Sequence, residues 1–311
     1  MTEMRIVAEE LQFPEGPVVT NDGSVLVVEI QRETITKIRP DGTRAIVATA
    51  GGGPNGLAVG PDGALYLCNN GGLLFQETDG FLHIRAGSHP RYVGGRIERI
   101  DAKTGAVLLL YDKCADRRLC GPNDIVFDMH GGFYFTDLGK NRERDRDHGG
   151  VYYAMADGSK IMTLAYPMTT PNGIGLSPDG RTVYVAETET ARLWAFDIEA
   201  PGQPKRYGFP SPHGGRLVCG LGGYQRFDSL AVAASGNICV ATLVTGCITV
   251  ISPEGAVLDQ VKTGDPMTTN IAFGGTDMRT AYLTLSGTGR LAEMRWPEPG
   301  LKPEFTQRLM I

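Results

Sequence analysis

Pro171–Thr188 reads PNGIGLSPDGRTVYVAET: an Asn at the head of a short apolar run, a Pro-Asp-Gly turn, then a second run of Val, Tyr and Ala. Two short apolar runs joined by such a turn form a β-hairpin. The same phrase recurs along the chain. FPEGPVVTNDGSVLVV starts at Phe13, PNGLAVGPDGALYL at Pro54, PNDIVFDMHGGFYFTD at Pro122, FDSLAVAASGNICVAT at Phe227 and TNIAFGGTDMRTAYLT at Thr269. Aligned on the turn, the polar residue heading the first run is Glu15, Asn55, Asn123, Asn172, Asp228 and Asn270, at spacings of 40, 68, 49, 56 and 42. Repeats of about 40–50 residues, made of β-runs and turns, are the signature of propeller blades with four antiparallel strands each. Six phrases predict an all-β, six-bladed β-propeller occupying 1–311 as one domain.

In the fourth repeat the strands read as residues 173–177, 182–187, 192–198 and about 205–209. The innermost runs (LAVG, IVFD, IGLS, LAVA, IAFG) are small and apolar, as a crowded axis requires. A lone blade cannot bury both faces, so the core comes from stacking neighbours into a ring. Residues 5–9 at the N-terminus are expected to close the sixth blade, with residues 304–310 as the alternative.

Composition narrows the rest. The 311 residues carry a net charge of −5 with no Lys/Arg-rich run, which argues against nucleic acid as a partner. No run approaches the roughly 18 apolar residues of a membrane span. The opening MTEMRIVAEELQF lacks a basic stretch followed by an apolar core, so a cytoplasmic protein without a signal peptide is expected. Cys68, Cys239 and Cys247 lie inside apolar runs, and Cys114 and Cys120 have neither zinc nor redox spacing, so reduced thiols are expected.

Six equivalent positions, each opening an innermost strand, must ring the channel at one end. Glu15, Asn55, Asn123, Asn172, Asp228 and Asn270 all carry side-chain oxygen, and none is His or Cys. That donor set suits a hard divalent cation, calcium first, with magnesium, manganese or zinc as substitutes. As single residues, Asn and Asp before a strand would be ordinary turn formers. Six in register are not.

With these motifs the chain resembles the senescence marker protein/gluconolactonase/luciferin-regenerating-enzyme-like family, which includes bacterial drug-responsive lactonases. F-P-E-G-P, P-N-D-I-V-F-D with G-G-F-Y-F-T-D, and P-N-G-I-G-L-S-P-D-G with V-A-E-T carry the resemblance, and F-D-S-L-A-V is similar to a further ligand motif. The resemblance implies a six-bladed propeller, one divalent ion in the channel, and hydrolysis of a small-molecule lactone. It implies Glu15, Asn172 and Asp228 as metal ligands and Asp228 as catalytic residue. Asn123 matches a position that holds the ion or contacts substrate, while Asn55 and Asn270 are classed as pocket lining. Such a site polarises the ester carbonyl while Asp228 takes a proton from water, with direct attack by Asp228 or pure ligation as alternatives. No G-x-S-x-G or H-E-x-x-H motif offers other machinery. Phosphotriester hydrolysis at the same site, and a non-catalytic propeller with a structural ion, are the rival functions.

Specificity is expected in the loops at the ring's end of the channel. The insertions 70–94, 139–149 and 211–226 are expected to form a lid there, with His83, His89, His148 and His213 in it. The first insertion is apolar, and Phe75, Phe81, Arg91 and Tyr92 are its substrate-binding candidates, suited to a lactone poorer in hydroxyls than a sugar lactone. Monomer and homodimer both remain open.

Overall fold

The computed structural model describes residues 3–309 and 311. Six antiparallel blades surround one axis, each beginning with its innermost strand. Blade one is Pro14–Val19, Val25–Glu29, Thr34–Ile38 and Arg44–Thr49. Blade two is Pro54–Val59, Leu65–Asn69, Arg96–Ile100 and Val107–Tyr111; blade three is Pro122–Phe127, Gly132–Asp137, Gly149–Met155 and Ile161–Met168. Blade four is Pro171–Leu176, Thr182–Glu187, Arg192–Ala200 and Arg216–Gly220; blade five is Arg226–Val232, Ile238–Leu243, Cys247–Ile251 and Val257–Lys262. Blade six is Thr268–Gly274, Thr280–Leu285 and Arg290–Arg295, closed by Arg5–Ala8 from the N-terminus. The fold is the six-bladed propeller the repeats imply.

The hairpin turns at the far end explain the recurring Asp-Gly. In the fourth blade Asp179 Oδ1 accepts from the Arg181 N–H (3.1 Å), while Gly180 takes a positive φ of 67° that a side chain would oppose. Between blades, fully buried Leu26, Leu65, Leu67, Val185, Ile248 and Leu283 fill the wedge-shaped spaces. All six cysteines are unpaired, with Cys68, Cys114, Cys239 and Cys247 buried. Among the described residues no helix is long and apolar enough to cross a membrane.

One expectation is corrected and another is borne out. The outer strand of blade four is Arg216–Gly220, pairing with Arg192–Ala195, and not 205–209. Consequently 211–226 is not a single lid insertion: Arg216–Gly220 in its middle is blade wall, and His213 packs against Trp194 and Phe196 of blade four's third strand, 4.4 Å and 5.6 Å between ring centres. Polar Lys205, Arg206 and Tyr207 face solvent beside Asp197, whereas Leu217 and Val218 continue a β-run that pairs. Arg5–Ala8 closes blade six, as expected. Of the alternative, 304–310, the described residues 304–309 add no strand; Thr306–Arg308 is a short 3-10 turn, and Met310 lies outside the described residues.

That C-terminal segment instead straps the far end of the channel. The Leu301 N–H donates to Val232 in blade five, Phe305 packs edge-on against Phe127 of blade three (5.7 Å), and Arg308 donates to the Pro61 carbonyl of blade two. At the other end, the mouth, 70–94 folds into its own hairpin, Leu74–Thr78 and Phe81–Arg85. The Leu82 N–H donates to Gly287 of blade six (2.8 Å), and the Gly87 N–H to Asn141 of blade three (3.1 Å). This hairpin therefore spans the mouth, as the insertion implied.

Candidate active site

The site begins with one backbone device used in every blade. The pairing of innermost and second strands shifts register at the mouth: between Glu15 and Val18, Pro54 and Leu57, Pro122 and Ile125, Pro171 and Ile174, Phe227 and Leu230, and Thr268 and Asn270. A β-bulge leaves residues unpaired and re-aims their side chains. In blades two to five the unpaired residues are the ring residue and the one after it.

The follower is glycine where the neighbouring blade comes close. A Cβ on Gly16 would lie 2.3 Å from Asn55 O, one on Gly56 2.5 Å from Asn123 O, and one on Gly173 2.6 Å from Asp228 O. These glycines let each innermost strand press its backbone against the next, which draws the ring tight. Blade three carries Asp124 at that position instead, and its carboxylate accepts from Ile125 (2.9 Å) and reaches the Ile174 N–H of blade four (3.4 Å). Asp124 is the functional candidate that sequence reading passed over. Its signal was present: the followers run Gly16, Gly56, Asp124, Gly173, Ser229, Ile271, with a single acid among them.

A second circle of side chains fixes the loops leading into the ring. Glu29 accepts from the Gln12 N–H (2.8 Å), Asn69 from Gly53 (2.9 Å), Asp137 from Cys120 and Gly121 (2.7 Å each) and Glu187 from Thr169 (2.9 Å). Each stands at the end of a second strand, which is why V-V-E, L-C-N, F-T-D and V-A-E recur.

The structure brings the six ring residues together, none more than 8% exposed. Glu15 Oε2 accepts from its neighbour Gly16 and from Asn270 Nδ2, both at 2.8 Å. Asn270 Oδ1 is occupied by the Ile271 N–H, so Asn270 acts as a donor holding Glu15. Asn172 Nδ2 donates to Thr188 (3.1 Å), and its Oδ1 is met only by Ser229 Oγ at 3.5 Å. Asn123 Oδ1 is buried with no hydrogen-bond partner.

Burial raises the proton affinity of all three channel carboxylates. For Asp228, burial followed by the charge of Glu15 lifts the pKa well above the carboxylate range; for Asp124 the same causes push it up to about 7. Burial raises Glu15 as well. Three buried acids in mutual repulsion, beside an amide oxygen without a donor, are a site short of positive charge. The oxygen donors suit a divalent cation, and Glu15, Asn123, Asn172 and Asp228 are the residues that could hold one. Among the described residues no three His, Cys, Asp or Glu side chains are grouped to do so by themselves, so the amides would have to take part.

The lid candidates are placed differently. Phe75 packs on buried Phe13 (5.0 Å between centres), and Phe81 lies against Gly287. Arg91 pairs with Glu33 at the rim, and Tyr92 donates its hydroxyl to the Cys120 carbonyl (2.8 Å). His83 is held within the hairpin by Thr78.

The model of the SMP-30/gluconolactonase/LRE-like region matches residues 13–287. The chain belongs to this family. Among its relatives, the gluconolactonase of Zymomonas mobilis is 24% identical over 302 residues, covering 88% of this chain and 76% of that protein. The lactonase drp35 of Staphylococcus haemolyticus is 27% identical over 260 residues, covering 83% and 71%. A solved structure of the calcium-binding protein regucalcin from Agrobacterium tumefaciens superposes with a TM-score of 0.73 at 20% identity, covering 97% of this chain and 98% of that one. The matched span of this family member starts at Phe13, under the lid, and ends at Gly287, where the lid rests.

Proposed function

We propose that this family member is a metal-dependent lactonase, opening a lactone at the mouth of the channel. The observation that carries this reading is the convergence of Glu15, Asp124 and Asp228 with the donor-free Asn123 Oδ1 beneath the lid. Glu15, Asn123, Asn172 and Asp228 would hold a divalent cation, calcium first, which when bound would supply Lewis acidity toward the ester carbonyl. Asp228, whose neighbour Asn172 is itself fixed by Thr188, is positioned to take a proton from the attacking water. Asn270 keeps Glu15 turned toward the axis, and Asn55 and Asn123 present amides to the substrate from blades two and three. The hairpin excludes bulk water, with Phe75 and Phe81 as lid groups over the mouth, while Arg91 and Tyr92 fasten its edge to Glu33 and Cys120. The setting proposed is a cytoplasmic single-domain enzyme.

The test follows hydrolysis of D-glucono-1,5-lactone and of the aromatic lactone dihydrocoumarin in chelator-treated and calcium-restored protein, with calcium binding measured by calorimetry. Loss on stripping and return with calcium are expected; full activity in metal-free protein would overturn the reading. Paraoxon in parallel distinguishes a phosphotriesterase.

A further inference from the structure

Beside the oxygen ring, a second corner of the mouth lacks partners. The Asn70 N–H donates to the Gly53 carbonyl (2.8 Å), which sets Asn70, one residue beyond the end of a second strand, opposite the entry to the innermost strand that carries Asn55. A Cβ on Gly53 would lie 2.1 Å from Asn70 Oδ1, so the bare glycine is what lets this amide fold inward over the innermost strand. Oδ1 accepts from the Gly72 N–H (2.9 Å) and from Lys140 Nζ (3.5 Å). Two donors on the oxygen fix the sense of the amide. Its Nδ2 is therefore the end left over, and it is buried without an acceptor.

Lys140 reaches this corner from blade three. Its Nζ donates to the Gly72 carbonyl (2.8 Å) and lies 4.9 Å from the centre of the Tyr92 ring. The residue is 6% exposed, and none of the ion pairs among the described residues includes it. The acids near it are engaged elsewhere: Asp137 by three backbone N–H groups, Asp147 by Arg142. Burial accordingly weakens its hold on its proton, to a pKa of about 8.

A buried ammonium with no carboxylate in contact, Asp137 and Asp147 acting on it only at longer range, beside a buried amide N–H without an acceptor, lacks an oxyanion. A water molecule would satisfy the amide and leave the charge unanswered. We propose that Asn70 and Lys140 form a subsite for a carboxylate carried by the substrate away from the ester under attack, so that the preferred lactones are acidic. This rests on the lactonase reading and deepens it. The corner lies at the root of the hairpin, where Gly71 and Gly72 have φ of 80° and 111°, and it is reached when the hairpin lifts.

The experiment compares D-glucaro-1,4-lactone, which carries a free carboxylate, with neutral D-glucono-1,5-lactone. The acidic lactone is expected to show a KM about tenfold lower, the worth of one charge-assisted contact. Asn70→Asp keeps the oxygen that meets Gly72 and Lys140 but turns the leftover donor into an acceptor, so the fold is retained and the preference should vanish through KM. Lys140→Met should act in the same direction, and calcium affinity should hold in both. An acid-to-neutral KM ratio unchanged by both variants, or no preference in the wild type, overturns the subsite and leaves the lactonase standing. If neither of these lactones nor dihydrocoumarin is hydrolysed, the lactonase reading fails, and calorimetry with glucarate against glucitol judges the corner. Binding of glucarate that Asn70→Asp abolishes supports it; absence of binding overturns it.

Discussion

At the mouth, the channel is covered by a hairpin whose strands are largely half-exposed or exposed, held by scattered backbone bonds to Gly287 and Asn141 and by the Lys140 corner. At the far end it is closed by a chain segment that buries Phe305 and Leu309 in the same aromatic cluster as Tyr66, Phe127 and Phe133. The hairpin reaches that cluster only through half-buried Leu73, Phe75 and Leu82, with the rest of its strands half-buried or exposed. Such a region opens locally, whereas buried Phe305 and Leu309 share the stability of the core. The channel is thus built with one end to be opened and one to be kept shut. The mouth also tolerates three repelling carboxylates that no core would.

Exchanges at the two ends should separate chemistry from stability. The largest effect is expected from Asp228→Asn, lowering kcat by about 10³-fold, within the range for a lost general base. Its thermal midpoint should equal or exceed that of the parent in metal-free protein, because one of the repelling acids is gone. A melt and a rate assay on the same sample check both; a large fall in midpoint would contradict the placement of Asp228.

At the far end the ranking reverses. Phe305→Ala should cost about 3 kcal/mol of folding stability, as for other buried aromatics, while calcium affinity is retained. Denaturant titration reads the first and calorimetry the second. A weakened calcium site with little loss of stability would show that the strap acts on the mouth.

Lys140 sharpens the comparison through pH. It is faced by Asp137 and Asp147, by Cys120 and by the ring of Tyr92. Its folded pKa of about 8 lies below the ordinary lysine value of about 10.4, so between those values the unfolded chain binds more protons. Stability contributed by this group therefore rises from about pH 8 toward about 10.4 and is lost below. Lys140→Met should remove that rise. The test is the difference in denaturant midpoint between parent and variant at about pH 7.5 and pH 10; equal differences at both would refute it.

The smallest effect is expected from Arg91→Ala. Its partner Glu33 stands at the rim and the guanidinium is two-thirds exposed, so stability should move by no more than about 0.5 kcal/mol. A change above 1 kcal/mol would mean that the hairpin is held more firmly at its edge than its exposure implies.

Much of this was written in the chain as period and position. The recurring phrase fixes hairpin, turn and ring residue together, because a side chain's direction in a strand follows from its place relative to the turn. The six ring residues, Glu15, Asn55, Asn123, Asn172, Asp228 and Asn270, could be placed at one end of the channel for that reason, whereas the choice among them of ion holders came from the family resemblance. Asp124 was missed because a regular strand would point it away from the axis, and only the bulge turns two successive residues inward. The outer strand of blade four was misplaced because edge strands carry weak patterning: Arg216–Gly220 is largely exposed, and its pairing with blade four's third strand is a long-range contact.

By itself the sequence determined the number of blades, the oxygen character of the ring and its place at one end, since these follow from local repeats and residue chemistry. Tertiary structure alone decided which terminus closes the sixth blade, what seals the far end, and which polar atoms lack partners. Those are relations between segments far apart in the chain. The energy that settles them, packing against Phe127 or the absence of an acceptor at Asn70, exists only once the ring has closed.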